Sequence, residues 1–452
     1  MNQQEQRQLL LTKNTKYLIM TLCVPGIIGM VVIALYSFMD SIYAGQMISK
    51  EAMAAISVAY PITLINNSMA TLFGIGGASV LSRAIGAKDE KTIQSVLPTV
   101  TKYLIIVSIL TTILGFFGAR HLVGLTGAKG DILEQAITYC RLIFLGSLFV
   151  NFTQGANMLI RSEGRMMQAM VIMGIGALIN IILDPIFILA FPHWGVQSVA
   201  YATLISQVSQ AMITLYYFKN LSPSLKMTTP RINTMLTKPI LAVGISAMIM
   251  QLFGMIQQLL FFNVAQTYGG NHFTILMSVF LRIQMFAFIP LWGMSQGFQP
   301  YVGTNFGAKA YKRLLKGRRH FMMAAFALTM IFFLPIQLFP KTILSMFITD
   351  TNMVIQAVLP IRLFFSTFFL YGFMVMMGVY FQSIGDAKTA GIIIIGRNLF
   401  LFLPLIFLMP RFLGKEAIWY VQAICDILVL TYGFYKFIAH GKLLQKEPSM
   451  AA

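Results

Sequence analysis

Acidic side chains are scarce in this sequence. Its 452 residues hold 14 Asp and Glu against 33 Lys and Arg, and charged residues of both signs make up only 10%, where a soluble domain carries about a quarter. That excludes an ordinary soluble globule. The net charge of +19 would suggest a nucleic-acid partner in a soluble protein; here the positive charge sits in short loops between apolar runs, so no nucleic acid is expected. Cysteine is also rare. Cys23, Cys140 and Cys425 are far apart, odd in number and each inside an apolar run, which implies neither a disulfide framework nor a metal cluster. There is no Walker-type phosphate loop and no polar segment long enough for an ATPase domain, so energy must come from an ion gradient or a separate subunit. Gly74-Ile-Gly76-Gly77 has the composition of a phosphate loop. No strand precedes it and no Lys-Ser/Thr follows, and it reads as helix packing through small residues. The first sixteen residues are polar, with no cleavage-type site, so no removable signal peptide is expected.

What is abundant is apolar surface. At 57% of the chain it amounts to about 258 side chains, and twelve helices of about 20 residues need about 240 to cross a bilayer. Apolar stretches fall at roughly 18–43, 52–81, 95–118, 133–158, 168–191, 195–218, 238–266, 273–303, 320–340, 354–381, 389–410 and 416–438. Twelve is even, so both termini share a side. The termini and even-numbered loops hold most of the Lys and Arg, six of them between Lys309 and Arg319, while the odd loops hold only Lys50, Arg120, Lys129, Lys341, Arg411 and Lys415. The positive-inside rule makes the shared side cytoplasmic.

The sequence repeats at an offset of 221 residues. Gly76, Gly86, Ala87, Lys88, Lys91, Gln135, Ala136, Arg141 and Gly164 become Gly297, Gly307, Ala308, Lys309, Lys312, Gln356, Ala357, Arg362 and Gly385. Each half therefore holds six spans, and six is even, so the halves share one orientation about a pseudo-twofold axis along the membrane normal. This predicts an all-α polytopic membrane protein: an N-lobe over 1–218, a cytoplasmic linker over 219–237 carrying Pro223 and Pro230, and a C-lobe with its tail over 238–452.

A carboxylate in hydrocarbon costs a few kcal/mol or more, so each intramembrane acid is a functional candidate. Eleven of the 14 acids belong to loops, span ends or termini; Asp40, Asp184 and Asp426 remain. Asp40 lies 22 residues into span 1 and Asp184 16 residues into span 5, about 33 Å and 24 Å along straight helices, which takes both to the outer half of the membrane. Asn180 precedes Asp184 by one turn and shares its face, so a carboxylate and an amide address one ion or proton. Pro185 frees the carbonyl of Ile181 beside them. The offset maps Asp40 onto Phe261 and Asp184 onto Leu405, so mere architecture would tolerate apolar residues at both places. Asp426 falls about 15 Å into span 12. Arg282 and Arg397 are its candidate partners, in a structural pair or in a substrate or proton site.

Taken together, these landmarks resemble the multidrug and toxic compound extrusion (MATE) family, in particular its DinF-like, MepA-like bacterial branch. The resemblance covers the whole chain. It rests on Pro25 followed by Leu35-Tyr36-Ser-Phe-Met-Asp40, on Ser82-Arg83-Ala-Ile-Gly86-Ala87-Lys88, on Gly127-Ala128-Lys129-Gly130, on Asn180-Ile-Ile-Leu-Asp184-Pro185 and on Tyr201-Ala202-Thr203. It implies two six-helix lobes in a V, a non-enzymatic exporter of amphipathic, often cationic compounds, and exchange against H⁺ or Na⁺ with no other cofactor. The family's N-lobe cation site falls here on Asp40, Asn180, Asp184 and Thr203, with Tyr36, Tyr139 and Asn157 nearby. The other branch's acids in spans 7 and 10 are missing, which places coupling in the N-lobe. A proton is favoured over Na⁺, though the same four residues would suit Na⁺. The expected partners are small molecules and lipid, the expected state a monomer, and the expected location the bacterial cytoplasmic membrane. The alternative is a flippase or exporter of a lipid-linked precursor or an endogenous metabolite; a flippase would need a broad basic cavity, for which Arg282 and Arg397 are too few.

Overall fold

The computed structural model describes residues 3–126 and 128–448, without the side chains of residues 36–38. All secondary structure among the described residues is helical. Spans 1, 2, 3 and 5 are Thr15–Ile48, Lys50–Ala87, Glu90–Gly124 and Met166–Ala190; spans 9 to 12 are Tyr311–Leu338, Thr351–Ile384, Ala387–Leu413 and Val421–Lys446. Spans 7 and 8 form one rod, Thr234–Gly307, broken where Gly270 takes φ 62°. Nine of the described helices are long and apolar enough to cross a membrane singly. Dividing the rod at Gly270 and adding the bent span 4 and the more polar span 6, Val196–Asn220, gives twelve spans in two lobes of six.

Span 4 departs from the uniform helix expected over 133–158. It is two helices, Gly130–Leu145 and Ser147–Ser162, meeting at 58°. A bend leaves carbonyls without helical donors, and in lipid no water replaces them. Hydroxyls of span 3 do: Thr112 donates to the Phe144 carbonyl at 2.9 Å and Ser108 to the Ser147 carbonyl at 3.3 Å. The second lobe repeats the device. Span 10 breaks between Phe364 and Phe368, where Thr329 donates to the Phe369 carbonyl at 3.0 Å; Thr329 stands 221 residues after Ser108.

Glycines let the two lobes meet. A Cβ on Gly76 of span 2 would strike the Ile240 carbonyl of span 7, and one on its repeat mate Gly297 would fall 2.8 Å from the Leu22 carbonyl of span 1. The pair one step further along behaves alike: Gly86 faces the Thr304 carbonyl and Gly307 the Arg83 carbonyl. Gly26 and Gly293 face each other's carbonyls between spans 1 and 8. Backbones in contact gain dispersion and expel lipid without a hydrophobic driving force. Polar ties lie along the same seam. Arg83 Nη1 donates to the Ser383 carbonyl at 3.0 Å and to Ser79 Oγ at 2.6 Å, and Thr71 Oγ1 donates to Gln251 Oε1 at 2.8 Å.

At the end of the bundle that carries both termini, the helix Gln3–Thr12 bridges the lobes. Arg7 donates to the carbonyls of Ile85 and Gly86, and Gln6 to that of Gly164 at 3.1 Å, all in the N-lobe. On its other side, Asn305 and Arg313 of the C-lobe donate to the Leu10 carbonyl at 3.3 and 3.2 Å. The extended segment from Leu221 to Asn233 that joins the lobes is pinned as well. Glu163, in the turn after span 4, accepts from Tyr217 Oη, Ser222 Oγ and the amides of Ser224 and Leu225 at 2.7–3.2 Å.

Two measurements test these contacts. Gly86→Val forces a branched side chain against the Thr304 carbonyl, which overpacks the seam by about 1–3 kcal/mol. Spin labels at exposed Lys91 and Lys388, one in each lobe, should then report a longer distance; an unchanged distribution would show that this contact does not hold the lobes together. Burial pushes the Glu163 carboxyl up to about 7 from 4.5, against the hydrogen bonds that pull it down. The carboxyl is therefore more easily protonated folded than unfolded, so its contribution to stability is complete below pH 4.5 and is lost as pH rises through about 7. The melting midpoint in detergent should fall across that window, and Glu163→Gln should flatten the fall; equal slopes would assign the dependence to other groups.

Candidate functional site

Four carboxyl groups are buried among the described residues: Asp40, Glu163, Asp184 and Asp426. What each one touches separates them. Glu163 is saturated by the four donors of the linker. Asp426 accepts from Arg397 Nε at 2.7 Å and from Thr367 Oγ1 at 3.0 Å. Asp40 Oδ1 and Asp184 Oδ2, in contrast, are sealed from solvent and no N–H or hydroxyl donates to them.

Those two acids form one cluster. Asp40 comes from span 1 and Asp184 from span 5, and their carboxyls lie within hydrogen-bonding reach of each other. Span 5 places Asn180 one turn before Asp184, and the amide nitrogen reaches Asp184 Oδ1 at 3.3 Å and Thr203 Oγ1 of span 6 at 3.4 Å. Asn180 Oδ1 is a third buried oxygen with no donor. Pro185 follows Asp184 within an unbroken helix, so the Ile181 carbonyl lacks its helical donor next to the cluster. The cluster thus holds more acceptors than donors. A proton, a small cation or water would balance it.

The remaining sequence candidates divide. Tyr139 is 6% exposed and packs in the apolar cluster that contains Ala44 and Ile188, each four residues beyond one of the acids. Asn157 is held elsewhere. Its amide donates to the Ala169 carbonyl at 2.9 Å, and Ala169 lies 11 residues before Asn180, about 16 Å along span 5. The side chain of Tyr36 is not described, and Gly127 of the motif before span 4 lies outside the described residues. Reasoning from ionisable residues passed over a neutral network between spans 2, 3 and 4, where Asn151 Nδ2 donates to Asn66 Oδ1 at 2.8 Å and to Ser108 Oγ at 3.1 Å. Amides inside apolar runs were the signal for it.

In the C-lobe, only one of the two arginines considered for Asp426 meets it. Arg397 is 5% exposed and spreads its guanidinium over the Tyr371 ring at 5.4 Å, with Nη1 on Asn398 Oδ1 at 3.0 Å. Arg282 is exposed, and no hydrogen bond or ion pair joins it to Asp426 among the described residues. Arg282 and Arg397 stand on different helices, and packing decides which of them faces span 12. No group of three or more His, Cys, Asp or Glu could hold a metal ion among the described residues, and Cys23, Cys140 and Cys425 are free and buried.

Comparison with known proteins bears on the family and the fold. The sequence model of the MatE family matches residues 25–186 and 243–408, one stretch in each lobe. The multidrug export protein MepA of Staphylococcus aureus (strain MSSA476) is 25% identical over 413 residues, covering 89% of each chain. Among solved structures, a MATE protein in the bent conformation superposes with a TM-score of 0.91 at 27% identity over 98% of both chains. The outward-facing conformation of a multidrug resistance MATE family transporter of the MOP superfamily gives 0.89 at 27% identity, covering 97% of this chain and 98% of that one. With both lobes matched in sequence and almost the whole chain matched in structure, this protein belongs to the MatE family of multidrug efflux transporters.

Proposed function

We propose that this chain exports amphipathic, often cationic compounds across the bacterial cytoplasmic membrane in exchange for a cation, with the N-lobe cluster as the coupling site and both termini in the cytoplasm. One observation carries the reading. Of the four buried acids, only Asp40 and Asp184 keep an oxygen to which no N–H or hydroxyl donates, and they lie together. A buried carboxylate is retained against its cost where its charge is used.

A proton is the favoured coupling ion. A carboxyl donates a hydrogen bond only when protonated, so a proton bound by either of the two neighbouring carboxyls would let it donate to the other, and its arrival or departure changes the charge of the cluster by one. Na⁺ would instead draw on oxygens of Asp40, Asn180, Asp184 and Thr203, the hard donors it prefers. One charge moving inward through 100 mV supplies about 2.3 kcal/mol, enough for roughly fifty-fold accumulation of an uncharged substrate. In this reading the occupied and empty cluster favour different arrangements of the lobes, since only a ligand with differential affinity for two states shifts their balance. The glycine seam is then closed in one state and parted in the other.

The C-lobe pair is assigned a structural role. A guanidinium and a carboxylate that neutralise each other in lipid cost less than either alone.

In proteoliposomes with proton and sodium gradients imposed separately, the parent protein should export an amphipathic cation on the proton gradient. Asp40→Asn should reduce that export to the level of protein-free liposomes, and Asp184→Asn should reduce it less completely. Export driven by sodium alone would reassign the ion, and equal export by Asp40→Asn and the parent would remove the N-lobe site. Asp426→Ala should destabilise the protein by about 3–5 kcal/mol by leaving Arg397 buried and unpaired. The double change Asp426→Leu with Arg397→Met should recover most of that stability and retain export. A stable double variant without export would make the pair part of the transport machinery.

A further inference from the structure

At the cytoplasmic end of the C-lobe, on the topology proposed above, Leu315, Lys316, Arg318, Arg319 and His320 of span 9 and Gln445 of span 12 line a cavity of about 350 Å³. We propose that this cavity binds the phosphate of an anionic lipid from the inner leaflet. The reading depends on that topology and not on the transport mechanism.

Charge is the first ground. From Lys309 to His320 the chain carries six Lys and Arg and no acid. The nearest acid in sequence on the other wall is Glu447, which acts on Tyr311 at the start of span 9. Lys316 and Arg319 are exposed. Arg318 is fixed, with Nη1 donating to the Phe437 carbonyl at 3.1 Å and its guanidinium 4.0 Å from the centre of the Phe437 ring. It therefore presents an ordered face, where Lys316 and Arg319 can adapt.

Depth is the second ground. The apolar part of span 9 begins at Phe321, which puts the cavity at the level of lipid headgroups. Below it the exposed side of the helix continues through Met323, 59% exposed, Ala327 and Ile331, 65% exposed. Met323 to Ile331 is about 12 Å of helix, most of the roughly 15 Å thickness of one leaflet's hydrocarbon. The basic cavity thus sits next to the lipid-facing apolar surface of the same helix, which suits a molecule with a phosphate at one end and an acyl chain at the other. Basic pockets between helices on the cytoplasmic side are suited to such headgroups, because the inner leaflet is the anionic one.

The test is native mass spectrometry of the full chain in detergent, titrated with phosphatidylglycerol or phosphatidylcholine, with and without inorganic phosphate. Phosphatidylglycerol should bind the parent in preference to phosphatidylcholine. Its affinity should fall about tenfold in Lys316→Gln with Arg319→Gln, since each basic side chain near a membrane surface adds a separate attraction. Lys88→Gln with Lys91→Gln, an equal loss of charge on the other lobe, should leave binding unchanged. Both residues altered in the cavity are exposed, so the melting midpoint without lipid should match the parent; should the double variant unfold, single Lys316→Gln provides the reading. Equal binding of the two lipids, equal weakening by the two double variants, or no weakening in the cavity variant would overturn the proposal. Displacement of the lipid by inorganic phosphate would overturn it too, in favour of a soluble phosphate ligand.

Discussion

The closeness of two helix backbones governs the rest of this structure. Lipid tails are as apolar as the side chains facing them, so the lobes gain little from burying apolar surface against each other. They associate where side chains are missing. Gly26, Gly76, Gly86, Gly293, Gly297 and Gly307 each place a carbonyl of the opposite lobe where a Cβ would otherwise stand. Beside these backbone contacts, Leu18, Leu22 and Cys23 of span 1 share a buried apolar cluster with Leu291, Met294 and Phe298 of span 8, so parting the lobes also repacks those side chains. The polar tie beside it, from Arg83 of span 2 to the carbonyl of buried Ser383 in span 10, joins the two lobes.

The second constraint is polar bookkeeping in a medium without water. Each lobe bends a helix, and each bend is closed by a hydroxyl at the same place in the repeat, Ser108 in one lobe and Thr329 in the other. The lobes are alike in this framework and differ in their ionisable groups. The C-lobe neutralises Asp426 with Arg397 and Thr367. The N-lobe leaves acceptors on Asp40, Asn180 and Asp184 open. One scaffold used twice therefore gives one cluster that is electrically complete and one that is not, and that asymmetry localises the proposed ion chemistry.

Much of this was legible in the sequence. Apolar run length gives spans because a bilayer has a fixed thickness, and the 221-residue offset gives two parallel halves because six crossings restore the original direction. The scarcity of acids made Asp40 and Asp184 conspicuous, and helical periodicity alone puts Asn180 on the face of Asp184, where the structure finds the amide at 3.3 Å. Thr203 was reached through family resemblance only, because a threonine in an apolar run is too common to stand out. Local signals failed for Glu163, which reads as a loop acid and is in fact buried beneath the linker, since the four donors that cover it come from residues more than fifty positions away.

Sequence by itself determined the number of crossings, the repeat and the identity of the residues costly enough in lipid to need a use. These depend on composition and periodicity, which act along one helix at a time. Tertiary structure decided what each polar group meets: that Arg397 and not Arg282 neutralises Asp426, that Asn157 is tied to Ala169 away from the acids, that spans 4 and 10 bend where a neighbouring hydroxyl donates to a freed carbonyl, and that the helix Gln3–Thr12 bridges both lobes. Those outcomes depend on the rotation of each helix about its own axis. Packing against several neighbours at once fixes that rotation, and no window of sequence contains all of them.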